Sequence, residues 1–222
     1  MKKMKPVFII NRETDLATRD VEPTNEWVVN GEGIATVKFD GEAAMIKKGQ
    51  LFRRYSRKLT KKWNRVFKSK KIKGESFTPT IDMFKELPSG AIALEDTFDP
   101  VTLHWPFWIP VTEDKFNFMY HEAIEGKDLK DGTYELIGPK VQGNPHKLQK
   151  HELWKHGSKV VNIENFDFDS LKEALKEIEA EGLVFHHEDG RMAKLRRKDM
   201  FEFKTLHGGR KIDWSNENII FD

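Results

Sequence analysis

Thr36-Val37-Lys38-Phe39-Asp40-Gly41-Glu42 is the stretch on which the reading of this chain turns. It follows a glycine-bracketed turn, Gly31-Glu32-Gly33, and precedes the apolar run Ala43-Ala44-Met45-Ile46. Residues 34–39 carry the β-branched and apolar residues of a strand, so Lys38 falls at its end. Gly41 lets the backbone turn sharply or approach a phosphate closely. A tight hairpin is therefore predicted just after Lys38. Lys-x-Asp-Gly by itself recurs by chance in roughly 5% of chains this long, so its meaning depends on partners elsewhere.

Working outward, short β-type runs separated by Gly-bearing turns predict an antiparallel sheet. The runs are Pro6 to Ile10, Trp27 to Val29, Ala43 to Ile46, Leu51 to Tyr55, Ala91 to Leu94, Phe116 to Ala123 and Thr133 to Gly138. Leu103 to Pro110 is aromatic but holds Pro106 and Pro110, which places it at an edge or in an extended loop. Residues 77–87 read as a short helix or a loop packed by its own apolar residues. Leu171, Leu175 and Ile178 share one helical face, with Asp169 as the predicted cap and Gly182 after the end. Residues 182–187 and 192–196 then form a hairpin turned at Asp189-Gly190. The tail from Phe201 is mixed. At 222 residues the expectation is a single α+β domain over 1–222, antiparallel β-sheets flanked by helices.

Composition excludes several classes. There is no cysteine, hence no disulfide, no Cys-ligated zinc and no thiol nucleophile. No apolar run is long enough to cross a bilayer, and the basic start Met-Lys-Lys-Met-Lys leads into too short an apolar stretch for a secretion signal. A cytoplasmic protein, or a virus-encoded one acting in host cytosol, fits. The net charge of +2 hides a strong asymmetry. Residues 53–73 hold eleven basic residues and no acid, while the remaining 201 residues hold 27 basic and 36 acidic. A polyanionic partner explains a basic segment on an acidic body. Tyr55, Trp63 and Phe67 are interleaved with it, as stacking on bases requires. A solvated basic helix or loop is the alternative.

Three further segments follow the lysine stretch in order: Tyr134-Glu135-Leu136-Ile137-Gly138-Pro139-Lys140, Glu181-Gly182-Leu183-Val184-Phe185 and Lys194-Leu195-Arg196-Arg197. Glu135 is an acid inside an apolar strand, which is costly unless it meets a cation or hydroxyls. Lys194 and Arg196 alternate on one strand, so both side chains face the same way and can grip one phosphate from one side.

This ordered set resembles motifs I, III, IV and V of the covalent nucleotidyltransferases, the ATP-dependent ligases and mRNA capping enzymes. Within that group the chain is most similar to the single-domain ATP-dependent 5′–3′ RNA ligase family, of the RNA ligase 1 type. The likeness also covers Leu51-Phe52-Arg53-Arg54-Tyr55-Ser56-Arg57-Lys58 and Gly143-Asn144-Pro145, and runs from about residue 34 to 200. DNA ligases carry arginine where this chain has Ala43, and too few residues follow Arg197 for the OB domain of capping enzymes.

The resemblance implies a nucleotidyltransferase (adenylation) fold without an OB domain. It implies joining of RNA 5′-phosphate and 3′-hydroxyl ends with ATP and Mg2+ (Mn2+ possible), and no obligate protein partner. Lys38 would be the nucleophile that takes AMP, and Lys194 would assist it. Lysine attacks only when neutral, and lowering a pKa of about 10.4 by roughly 3 units corresponds to roughly 4 kcal/mol of unfavourable surroundings for the cation. Lys194, Arg196 and a divalent ion would supply it and steady the α-phosphate. Thr36 and Val37 would offer backbone groups to adenine, and Arg54 would reach the ribose or a phosphate. Glu135 would contact the ribose or a metal, Glu181 a magnesium ion, and Asp40 would orient Lys38 or a metal-bound water. Trp108, Phe107 and Tyr134 are the candidates to cover adenine. Arg53, Arg57, Lys58, Lys61 and Lys62 would begin a clamp on the nucleic acid in place of the OB domain. Alternatives are a catalytically degenerate RNA binder, a minimal DNA ligase, a capping guanylyltransferase, or an adenylyltransferase that stops at the activated 5′ end. The eight histidines show no metal-ligand spacing, and of His186 and His187 at most one faces the site.

Overall fold

The computed structural model describes residues 4–203 and, as backbone, 219–220. The rest of the predicted mixed tail lies outside the described residues. In chain order the elements begin with β1 (Lys5–Pro6), β2 (Phe8–Ile10), β3 (Ala17–Val21), the one-turn helix α1 (Glu26–Val29), β4 (Ile34–Lys38), β5 (Glu42–Lys47) and β6 (Gln50–Ser56). Helix α2 (Lys61–Lys73), β7 (Ile92–Ala93), β8 (Pro106–Pro110), helix α3 (Phe118–Ile124), β9 (Gly132–Ile137), β10 (Glu152–Lys155) and β11 (Val160–Val161) follow. The last are helix α4 (Phe168–Lys176), β12 (Gly182–His186), β13 (Met192–Arg196), the short helix α5 (Arg197–Met200), β14 (Glu202–Phe203) and β15 (Ile219–Ile220). The fold is mixed α+β with mainly antiparallel sheets, as expected. One pair departs from this, because β1 runs parallel to β13. No helix among the described residues is long and apolar enough to cross a membrane.

The described chain divides into two compact units. One, here the Lys38 unit, comprises residues 4–42, 119–126 and 134 onward; the other, the basic unit, comprises Ala43–Phe118 and Lys127–Thr133. The Lys38 unit is built on a five-stranded sheet in the order β1-β13-β12-β4-β11. Its inner face is apolar: Ala35 on β4, Leu183 and Phe185 on β12, Ala193 and Leu195 on β13, all buried. Leu171 and Leu175, one helical turn apart on α4, pack onto that face with Trp27, Val28 and Met200. This is the amphipathic helix the spacing predicts. Its cap, however, is Asp167, which accepts from the N–H groups of Asp169 and Ser170 (both 3.0 Å). Asp169 instead sits in the first turn, where its charge suits the helix dipole.

Three segments depart from expectation, two predicted strands and one predicted edge or extended loop. Trp27 to Val29 is helical: Asn25 donates to the Pro6 carbonyl (2.7 Å), Asn30 N–H closes back on Glu26, and Trp27 and Val28 are buried from a single turn. Residues 118–124 form α3, with Tyr120 and Ala123 buried three residues apart; it follows a 3-10 turn (Lys115–Asn117) capped by the Asp114 side chain, which accepts from Phe116 N–H (2.9 Å). Residues 106–110 form β8, which lies inside the basic unit's strand order β5-β6-β8-β7. Its prolines stand at the two ends of the strand, opposite Ser56 and Phe52, so an interior position is tolerated. The basic unit's core gathers Leu59, Phe84, Trp105, Phe107 and Ile109. Its eleven-cation segment runs from β6 into α2, a helix with no buried residue.

Candidate active site

β4 ends at Lys38 as predicted, but the predicted hairpin does not form. β4 pairs with β12 and β11, whereas β5 pairs with β6 in the basic unit. The link at 39–41 therefore carries the chain from one sheet to another. Gly41 is required there: a Cβ would lie 2.1 Å from the Leu136 carbonyl and 2.9 Å from Glu135 Cγ. That close approach brings β9 and its buried Glu135 beside the lysine loop.

The register across the Lys38 unit's sheet assembles the rest. Lys38 stands opposite Gly182, and Gly182 opposite Arg196. One row further on, Thr36, Val184 and Lys194 align. Directly opposed residues of antiparallel strands share a face, so Lys38, Lys194 and Arg196 occupy the face opposite α4. Gly182, between Lys38 and Arg196, admits no side chain: a Cβ there would be only 2.0 Å from the Leu195 carbonyl.

Charges on this face are paired closely. Lys38 is ion-paired with Glu181, both largely shielded from solvent. Arg196 forms a two-pronged pair with Asp199 (2.7 and 2.6 Å). Lys194 is lowered from its ordinary 10.5 to about 8, first by burial and then by Arg196 and Lys38, with Asp199 and Glu181 opposing. Lys38 is thus near enough to act on Lys194 electrostatically. Between about pH 8 and 10.5 the unfolded chain keeps a proton that the folded one has lost. Stability therefore rises with pH across that window, and the cation's burial penalty is fully present below about pH 8. Lys194→Met is expected to raise the unfolding midpoint of the ligand-free protein at pH 7 by about 3 °C, with the advantage gone above pH 10.5. Thermal melts at the two pH values check this; a lowered midpoint at pH 7 contradicts it.

The other sequence-predicted residues fall as follows. Glu135 is buried and accepts from His156 Nε2 (2.7 Å). Thr36 is buried; its hydroxyl donates to the Val184 carbonyl (3.3 Å) and accepts from His186 Nε2 (2.9 Å). The Val37 N–H donates to the Lys159 carbonyl (2.9 Å). Asp40 N–H donates to His146 Nε2 (3.3 Å), which suits a ring kept neutral by burial and by Lys159. His186 is likewise lowered by burial and by His156. The contacts of His146, His156 and His186 were invisible to sequence reasoning, since their partners lie 106, 21 and 150 residues away. Asp199 was also missed, although its spacing three residues after Arg196 was a usable signal.

Trp108, Phe107 and Tyr134 do not offer a face to a base: they are 2%, 4% and 3% exposed, filling the cores that their size favours. Half-buried Trp154 lies edge-on to Phe39 (5.0 Å between ring centres). Arg54, in the basic unit, is half-buried over Trp108 (5.6 Å), its pKa lowered by burial against the pull of Glu95. Arg53 is half-buried in β6 opposite Ala44 and Ile109. Arg57 donates from Nε to the Lys85 carbonyl (2.6 Å) and lies over Trp105 (4.7 Å). Lys58, Lys61 and Lys62 are exposed, the last over Trp63 (5.0 Å).

Among the described residues no three or more His, Asp or Glu side chains gather to cage a metal. Magnesium needs only one or two carboxylates when waters and substrate phosphates complete its shell. Glu181 and Glu135, the carboxylates expected to serve it, are paired here with Lys38 and His156.

The RNA ligase 1 family pattern matches residues 123–204, a span that holds Glu135, Glu181, Lys194 and Arg196 but not Lys38. RNA ligase 1 of Rattus norvegicus is 27% identical over 74% of this chain and 66% of its own length. The Mus musculus protein is 27% identical over 74% and 65%, and that of Danio rerio 28% over 73% and 66%. The chain spans just under two thirds of the length of these curated relatives. Over these spans the chain is similar in sequence to RNA ligase 1.

Proposed function

We propose that the chain is a nucleotidyltransferase that uses ATP to join RNA ends in the cytosol, with Lys38 as the residue that carries AMP. The observation that carries this reading is the three-strand register that sets Lys38, Lys194 and Arg196 on one sheet face with Glu181 on Lys38. In the first step Lys38 Nζ, having lost its proton, bonds the α-phosphorus of ATP, and the bond from that phosphorus to pyrophosphate breaks. In the second, an oxygen of the RNA 5′-phosphate attacks the same phosphorus, and the P–N bond to Lys38 breaks. In the third, the RNA 3′-hydroxyl attacks the 5′-phosphate and AMP leaves.

Each group on the face has work in this sequence. Glu181 holds the lysine ammonium until substrate arrives, and the pair must open before attack. Lys194 and Arg196 present positive charge where charge builds on the α-phosphate, and Asp199 fixes Arg196 in place. Glu135, oriented by His156, offers its carboxylate to the ribose. A magnesium ion held by Glu181 and Glu135 would neutralise phosphate charge when bound. The basic unit supplies the cations that hold the RNA.

The test is incubation with magnesium and α-labelled ATP or GTP, followed by addition of 5′-phosphorylated RNA. Label retained from ATP and a joined product are expected. Label from GTP indicates a capping enzyme, and an adenylylated 5′ end without joining indicates an adenylyltransferase. RNA binding with no label indicates a binder and overturns the reading.

A further inference from the structure

Within the basic unit, a cleft of about 410 Å³ opens beside the start of α2. Its wall carries Lys58, Lys61 and Lys85, together with Asn64, His104 and Phe67. Among the described residues no carboxylate lines it, and the first turn of α2 holds no acid. The wall is held by backbone pairing rather than by side chains. Lys85 N–H donates to the Lys58 carbonyl (2.9 Å), Thr60 N–H to Met83 (2.9 Å) and Arg57 N–H to Trp105 (2.8 Å). Leu59 and Phe84 bridge between the first two. Arg57, tied to the Lys85 carbonyl and laid over Trp105, braces the same segments. Leu103, which also lines the cleft, is held at φ +56°, a left-handed conformation that a leucine rarely adopts.

Three lysines line one cleft with no facing carboxylate among the described residues; like charges so placed repel each other, and an anion relieves that repulsion. Leu59 and Phe67 give the same cleft an apolar side, as a sugar and base require. Its volume is that of a site for one small organic ligand. We propose that this cleft binds one phosphorylated nucleotide of an RNA strand, with the phosphate among Lys58, Lys61 and Lys85 and the base or sugar against Phe67. The assignment rests on the reading of the chain as acting on RNA. It joins Lys85 and His104, from outside the basic segment, to that segment's Lys58, Lys61, Asn64 and Phe67.

The experiment measures binding of a short, fluorescent, 5′-phosphorylated single-stranded RNA over a range of salt. It compares the full chain with the double variant Lys58→Ala/Lys85→Ala and with Lys85→Arg. The double variant is expected to bind about tenfold more weakly. Its plot of log affinity against log salt should be shallower by about 0.7, the loss of one phosphate contact on a single strand. Lys85→Arg keeps the charge and should bind within twofold of the parent. If the parent binds RNA and the double variant matches it in affinity and slope, the cleft assignment fails alone. If the parent binds no RNA, the reading of the chain as an RNA ligase fails with it. Displacement of the RNA by AMP or inorganic phosphate at equally low concentration makes the cleft a free-nucleotide or phosphate site and overturns the strand assignment.

Discussion

Replacing Lys38 by alanine is expected to abolish transfer of label from ATP to the protein and to reduce joining of 5′-phosphorylated RNA by about 10⁴-fold or more, as loss of a covalent nucleophile does. The side chain ends a strand whose neighbours are fixed by register, so the substitution removes an amine without moving the sheet. It also leaves Glu181 without its ion-pair partner. The variant should nevertheless join RNA supplied with AMP already on its 5′-phosphate, because the third step breaks no bond to lysine. Arginine at the same position keeps the charge but cannot give up its proton near neutrality, so it should be equally unlabelled. Retention of label by Lys38→Ala would move the nucleophile elsewhere.

Gly182→Ala is expected to give the largest loss of stability among changes at the site, about 3 kcal/mol, because there is no room for the added carbon. Its Cβ would meet the Leu195 carbonyl at 2.0 Å and Arg196 Cα at 2.8 Å, and φ at this residue is +152°. Both contacts are backbone, so relief requires β12 and β13 to separate. That separation displaces Lys194 and Arg196 from Lys38, so labelling should fall together with the unfolding midpoint in urea. A variant with parental stability would show that the strands are less closely apposed than described. Equal stability with lost labelling would assign the glycine to nucleotide access alone.

The parts of this architecture that were legible in the sequence are those encoded locally. The hairpin of β12 and β13 follows from alternation and an Asp-Gly turn, and the α4 face from apolar residues one turn apart. The common facing of Lys194 and Arg196 needs only the period of a strand. The errors arose where burial outweighed local preference. Trp27 to Val29 has strand propensity, yet one turn of helix buries Trp27 and Val28 against the sheet. Phe118 to Ile124 buries Tyr120 and Ala123 at helical spacing that its aromatic content masked. Pro106 and Pro110 misled because their effect depends on position within the strand, and they stand at its ends.

In the site, the residues were legible but their relations were not. Nothing near Lys38 in sequence shows that its next strand joins a different sheet, or that Gly41 touches β9. The His156–Glu135 and His186–Thr36 contacts exist only after long-range pairing. Asp199 was within reach of a spacing argument, and it changes the picture of Arg196 from a free cation to one already oriented. In the basic segment, the charge run divides on folding: Arg53, Arg54 and Arg57 are drawn into the sheet and its aromatic core, while Lys58, Lys61 and Lys62 face solvent.

The most direct measurement is mass spectrometry of the intact protein after incubation with ATP and magnesium, followed by mapping of the modified peptide. One AMP per chain, bonded through phosphorus to nitrogen on the peptide containing Lys38, is the predicted result. AMP on Lys194, whose burial already brings it to about 8, or on any other side chain, or no AMP at all, would contradict it.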